Sequence, residues 1–461
     1  MNKKLMAVAV AGALSAPGLA AAQVGSSPGI TLYGTFEDAV LNMKFSSDFK
    51  TQSGQAGGQG ELKKGELYSV ASRLGFRGRE DLGGGVSAWI QAETGVTLNG
   101  RNDALNAGSS LFGGRPSAIG LTNPWGDIFF GIWDSPYKRV TDQTYNLVNS
   151  GPFSSSGVLM GNGDTTGSMP NALCGSSAPA ANTAANIVAT LPTAGVCFPE
   201  VTGGSTSFHR RNNDSVNYTS PMMAGFQFAI QTELPNYQSP GGSSGGGGNG
   251  TFPAGVQHAK LWSLNGIWAR GPLVLAAGYE LHQGFRPGTA AGQNINPKDT
   301  AIQGGIKWDF GIAQIGAGVE KISYGDNTGG ATVNTKMDIT NWQLNGKLAL
   351  GPGALWGQYT KSSAKSCTNP ALAANGQQLA FTVIGNAACS SDAKEFAIGY
   401  DYILSKRTKV YLAYNKIDNG NGTNYYYAAP SAPAQTANGT FNSITAGTDV
   451  QVLAVGIQHS F

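Results

Sequence analysis

The stretch VLAVGIQHSF (Val452–Phe461) alternates strongly. Leu453, Val455, Ile457 and Phe461 share one parity; Ala454, Gly456, Gln458 and Ser460 share the other. A strand sends successive side chains to opposite faces. One face here is therefore apolar and the other small or polar. The last residues of soluble domains usually fray, whereas this stretch holds its pattern through to an aromatic.

The pattern recurs through the chain. NWQLNGKLAL sets Trp342, Leu344, Leu348 and Leu350 against Asn341, Gln343, Asn345 and Lys347. AIQGGIKWDF sets Ile302, Ile306, Trp308 and Phe310 against Gln303, Lys307 and Asp309. NDSVNYTSP sets Val216 and Tyr218 against Ser215, Asn217 and Thr219. Of 461 residues 67 are glycine and only 12% are charged. That glycine share argues against a helical protein, since each interior glycine costs about 0.5–1 kcal/mol relative to alanine. Hydrophobic residues reach 41%, yet the mean hydropathy is −0.15, so apolar residues are diluted rather than gathered in blocks.

Turn chemistry divides the chain. Seven tight turns are DLGGG (Asp81–Gly85), NPWGD (Asn123–Asp127), SPMMAG (Ser220–Gly225), ARGPL (Ala269–Leu273), DFGI (Asp309–Ile312), LGPGA (Leu350–Ala354) and LSKRT (Leu404–Thr408). Eight long polar connections span roughly 45–66, 97–110, 134–209, 234–256, 286–297, 325–335, 362–392 and 418–446. Seven turns and eight loops join sixteen strands. Short turns on one rim and long loops on the other are the plan of a transmembrane barrel.

Alternation alone does not say which face is wet, because a soluble sandwich alternates too. Three features point to a barrel. Asn, Gln, Lys and Arg populate the polar face on many strands, which suits a water-filled interior. Trp125, Phe129, Trp308, Phe310, Tyr400 and Tyr402 fall near strand ends, as interfacial girdles require. An even strand number lets the sheet close with no unpaired edge in hydrocarbon. The expected fold is thus an all-β, 16-stranded antiparallel transmembrane β-barrel with short periplasmic turns and long extracellular loops. Its closing strand, ending at Phe461, pairs with the first, near ITLYGTFEDAV.

The N-terminus reads as a secretory signal peptide: MNKK, then the apolar LMAVAVAGAL, then Ala20-Ala21-Ala22 before Gln23. The expected division is residues 1–22 as signal peptide and 23–461 as one barrel. A membrane anchor would need a longer apolar run. The formal charge of +3 loses Lys3 and Lys4 with that segment, leaving a near-neutral chain with no nucleic-acid footprint. The four cysteines Cys174, Cys197, Cys367 and Cys389 allow three pairings. Spacing favours Cys174–Cys197 and Cys367–Cys389, with four free thiols as the alternative. No zinc-ligand spacing is present, and no cofactor is expected. Of the four histidines, none stands in a nucleophile-elbow or zinc-protease pattern, so an enzyme is not expected.

The motifs SRLGFRGREDLGGGVSAWIQAE (Ser72–Glu93), RPSAIGLTNPWGDIFFG (Arg115–Gly131), NDSVNYTSPMMAGF (Asn213–Phe226), the ending VGIQHSF and an early TLYG together resemble the trimeric general porins of Gram-negative outer membranes, in the beta-proteobacterial branch. The resemblance spans nearly all strands. It implies a homotrimer in outer-membrane lipid and lipopolysaccharide, inserted by the barrel-assembly machinery, which would read Phe461 as its signal. It also implies a third loop folded into the lumen, with wall arginines facing acidic loop residues. Residue by residue, the family's basic wall positions fall on Arg73, Arg77, Arg115 and Arg211. FPEVTGG (Phe198–Gly204) resembles the acidic constriction element and nominates Glu200, with Asp134, Asp142 and Asp164 as further candidates. Many relatives follow the fifth strand with Gly-Arg; Gly131-Ile132-Trp133 stands here, so one wall arginine is expected to be missing. The function implied is a diffusion channel for ions and small hydrophilic solutes. The alternatives are a substrate-specific channel for an organic acid or sugar, marked by aromatic strips or extra basic residues in the lumen, and, from other classes, an outer-membrane enzyme or an adhesin.

Overall fold

A computed structural model describes residues 29–46, 62–70, 72–96, 98, 115–148, 159–162, 207–234, 260–284, 298–325, 337–367, 392–419, 425 and 449–461. The expected signal peptide, Cys174, Cys197, Cys389, Asp164 and Glu200 lie outside the described residues. Cys367 ends a strand.

Seventeen strand segments form one antiparallel sheet. They are β1 (Gly29–Phe45), β2 (Leu62–Ser69), β3 (Arg73–Gly83), β4 (Val86–Gly95), β5 (Ser117–Asn123), β6 (Gly126–Asp134), β7 (Arg211–Thr219), β8 (Phe226–Glu233), β9 (Lys260–Arg270), β10 (Leu273–Gln283), β11 (Lys298–Asp309), β12 (Ala313–Tyr324), β13 (Met337–Leu350), β14 (Gly353–Cys367), β15 (Ala393–Ile403), β16 (Thr408–Asn419) and β17 (Val450–Ser460). β1 pairs with β3 through residues 29–35, with β2 through 38–45, and with β17 through 35–45. β2 and β3 thus lie end to end in one position, and the barrel closes on sixteen. All seven predicted turns connect neighbouring strands.

The break between β2 and β3 is filled by hydroxyls. Ser72 Oγ accepts from Glu37 N at 2.8 Å and donates to Glu37 O at 3.0 Å. Those contacts satisfy backbone groups that the interrupted ladder leaves over. At the seam, Phe461 N donates to Gly34 O at 3.1 Å, and the Phe461 ring stacks on Phe36 at 5.7 Å. A Cβ at Gly34 would sit 2.6 Å from that ring, so glycine makes room for the aromatic.

The outer face carries exposed Ile302, Ile306, Leu344, Leu348, Val455 and Ile457. An apolar band of this kind around a whole molecule belongs in lipid, not water. Trp125, Trp308, Phe310 and Tyr402 are exposed near the turn-bearing rim, as a girdle demands. Phe129 is not part of it. Ile128 and Phe130 point outward, while Phe129 is 5% exposed and faces inward. Parity, rather than nearness to the rim, decides the direction.

Inside, the described residues of the third loop lie against the inner wall. Its first turn-rich segment forms the helix α1 (Pro136–Thr144). Ser135 caps it, accepting from Lys138 N at 3.1 Å, and Pro136 supplies a preset first turn. Nine residues would not hold a helix in water; the wall holds this one. Tyr137 N donates to Ser263 Oγ at 2.9 Å, Asn265 Nδ2 to Pro136 O at 2.7 Å, and Gln343 Nε2 to Tyr145 O at 2.9 Å. Gly305, Gly316 and Gly318 form a shelf beneath Thr144 and Tyr145, which side chains there would strike.

The interior is not wet all round. On the wall from β14 through β17 to β1, Leu41, Met43, Trp356, Ile417, Val450 and Val452 are buried and pack with Val148 and Leu159 of the third loop and Tyr425. Loop side chains cover this sector, so its inward positions are apolar.

Candidate functional site

The adjoining wall, from β1 through β3 to β6, is polar and charged. The register of β3 and β4 pairs Gly75 with Glu93, Arg77 with Gln91 and Arg79 with Trp89. Arg73, Arg77 and Arg79 share the inward parity, while Leu74 and Phe76 take the other. Glu93 is the hub. Arg115 Nε lies 2.5 Å from its Oε1, Arg73 Nε 3.8 Å from its Oε2, and Tyr33 OH donates to Oε2 at 3.1 Å. Gly75 gives Tyr33 its place, since a Cβ there would lie 2.6 Å from the ring. The Arg77 guanidinium sits 5.6 Å from the Tyr33 ring centroid, where the face of the ring attracts cations.

A second cluster stands where the barrel wall enters the third loop. Asp134 holds Lys138 Nζ at 3.1 Å and Arg211 Nε at 3.3 Å. Alternation from Val216 does not carry through to Arg211, because Asp214 adopts φ 47° and the ladder with β6 shifts register between Gly131 and Trp133. Arg211 is nonetheless only 12% exposed beside its carboxylate. The clusters communicate: Arg115 acts on Asp134, and Arg211 acts on Arg115. Asp142 lies on α1 and accepts from Asn146 Nδ2 at 3.2 Å. The loop brings cations too. Arg139 on α1 feels Asp142, Asp134 and Asp127.

The structure thus brings Arg73 and Arg115 together on one carboxylate and Arg211 onto Asp134. Sequence reading sought the acidic partner on the loop and passed over Glu93. Glu93 shares the parity of Gln91 and Trp89, the inward signal that could have found it.

Beside the arginines lies an aromatic group. Trp89, Gly120 and Phe129 are successive partners across β4, β5 and β6. The Trp89 and Phe129 rings meet across Gly120 at 5.3 Å, and Trp133 joins them at 6.0 and 5.1 Å. A Cβ at Gly120 would strike Phe129 Cβ at 2.5 Å and the Trp89 ring at 2.8 Å.

Behind α1 the loop base is buried. His209 Nε2 lies 3.1 Å from Thr141 Oγ1 and 3.7 Å from Glu320 Oε2. Burial, with Lys138 adding in the same direction, pushes the His209 imidazole down to about 3. The Phe208 ring stacks on His282 at 4.3 Å.

A family model described as Gram-negative porin matches residues 7–422. The major outer membrane protein P.IB of Neisseria gonorrhoeae is 32% identical over 137 residues, 29% of this chain and 35% of that protein. The P.IB protein of Neisseria lactamica is 32% identical over 125 residues, 27% of this chain and 33% of that protein. These alignments span about a third of the curated relatives' length. Among solved structures, an anion-selective porin from Comamonas acidovorans matches with a TM-score of 0.61 at 19% identity, covering 94% of this chain and all of that one. OmpT of Vibrio cholerae in its trimer form matches with a TM-score of 0.53 at 11% identity, covering 94% of this chain and 100% of that one. The two structures share the fold.

Proposed function

This chain belongs to the Gram-negative porin family of outer-membrane barrels, and on that premise we propose that it forms a water-filled diffusion channel for ions and small hydrophilic solutes with a preference for anions. The family points to a channel rather than an enzyme. The observation that carries the anion preference is the excess of cations: Arg73 and Arg115 share the one carboxylate of Glu93, with Arg77 and Arg79 on the same wall. Arginine stays charged beside other arginines, and charge lining a narrow aqueous path biases which ions pass. In this reading Arg73, Arg77, Arg115 and Arg211 form the basic wall of the constriction, with Asp134 beside Arg211 and with Asp142 and Glu200 as its acidic residues on the third loop.

A homotrimer in lipid and lipopolysaccharide, assembled by the barrel-insertion machinery through the strand ending at Phe461, completes the proposal. The disulfides Cys174–Cys197 and Cys367–Cys389 would brace the outer loops. The test is conductance and reversal potential in a planar bilayer under a salt gradient. Steps closing in threes and a reversal potential favouring chloride are expected, and Arg73→Ala or Arg115→Ala should weaken that preference. Folded protein that conducts nothing would refute the channel. One observation favours the narrower reading of a substrate-specific channel: the Trp89, Phe129 and Trp133 rings on the inner wall.

A further inference from the structure

We propose that Trp89, Phe129 and Trp133, with Arg77 and Arg79, form a binding site in the channel for planar aromatic carboxylates. The inference rests on the channel reading and narrows its solute class. The rings occupy inward positions of a wall whose other members are mostly polar. Phe129 is buried at 5% exposure, and Trp89 and Trp133 are half-buried beside it. The two indoles keep part of their surface open to the lumen, on a firm base. Gly120 has no side chain to separate Trp89 from Phe129, so the rings form one continuous apolar patch.

Cations flank it on one side. Arg79 is the direct cross-strand partner of Trp89 and donates through Nη2 to Ser87 Oγ at 3.1 Å. Side chains directly opposite have Cβ atoms about 5 Å apart, so Arg79 and Trp89 stand side by side on the wall. Arg77 stands one inward position further up the strand. Asp127, two residues before Phe129 on the same face, has Arg139 of α1 as a charge partner. A flat ring stacks on flat rings in offset or edge-on geometry, and a carboxylate meets a guanidinium in two parallel hydrogen bonds. A benzoate-like anion satisfies both at once. Aliphatic acids of equal charge satisfy only the second.

The test uses the full, folded, detergent-solubilised protein and saturation-transfer NMR with benzoate and cyclohexanecarboxylate as probes. Benzoate is expected to bind about fivefold more tightly, in line with one or two ring–ring contacts. Trp89→Leu and Trp133→Leu should each bring the two probes within about twofold, and Arg79→Gln should weaken both. Equal binding of the two probes by the unaltered protein overturns the proposal, as does a benzoate advantage that survives both tryptophan changes. Because binding is read apart from conductance, the two readings fail separately. Benzoate binding without conductance keeps the site and removes the channel. Conductance without discrimination keeps the channel and removes the site.

Discussion

Glu93→Gln isolates the electrostatics of the arginine wall. The substitution keeps size and one of the two acceptor oxygens but removes the carboxylate charge shared by Arg73, Arg115 and Tyr33. For a permeating ion about 7 Å from the deleted charge, Coulomb's law in water gives about 0.6 kcal/mol. A Debye length of about 10 Å at 0.1 M roughly halves that. Anion and cation move in opposite directions, so their ratio changes by about 0.6 kcal/mol, or nearly threefold. The assay is the reversal potential under a potassium chloride gradient, which should move about threefold in permeability ratio towards chloride. Raising the salt should shrink the effect. A selectivity that stays constant, or turns towards potassium, would show that ions do not pass near Glu93, and the arginine-wall reasoning would fall with it.

Gly318→Ala should drive a methyl group into the Tyr145 ring and lift the end of α1 off its shelf. Overpacking of this kind costs about 1–3 kcal/mol, visible as a lower melting temperature and noisier single-channel currents. Acidification should loosen the same loop. His209 has a folded pKa of about 3 against 6.5 when free, so below 6.5 the undocked state binds a proton that the docked state refuses. Docking is intact above 6.5 and weakens as pH falls towards 3, by at most about 1.4 kcal/mol per pH unit. His209→Gln should flatten the pH dependence of current noise in that window. Trp133→Arg should raise chloride preference in the same bilayer assay while lowering benzoate affinity.

The sheet was largely legible because its signals are local. Period-two alternation and Gly, Pro, Asn or Asp at seven points define strands and turns without knowledge of neighbours. What escaped the sequence depends on contacts between distant segments. The Ser135-Pro136 pair is a sound helix start, yet a nine-residue helix persists because distant strands hydrogen-bond it and glycines on β11 and β12 let it lie close. The break after Ser69 is held by Ser72 reaching Glu37 on another strand. In β1, Leu41, Met43 and Phe45 face inward while Asn42 and Lys44 take the other parity. Hydrophobic parity there reports the loop residues lying against the wall, not the lipid. Phe129 and Phe130 are adjacent and equally greasy, and only the strand's phase separates a lumen ring from an outward-facing one.

The seam between β1 and β17 also shapes how the molecule comes to be. Thr35 and Ser460 face one another with hydroxyls 3.0 Å apart across 425 positions of chain. Bringing such remote segments together costs about 5 kcal/mol in loop-closure entropy, and until it happens both flanking strands present bare edges. Pairings of this range slow folding. Once the seam has closed, escape requires parting a ladder eleven residues long, Thr35 to Phe45 against Val450 to Ser460, in a medium that offers the freed amides no water. The finished barrel should therefore be durable chiefly because it unfolds slowly.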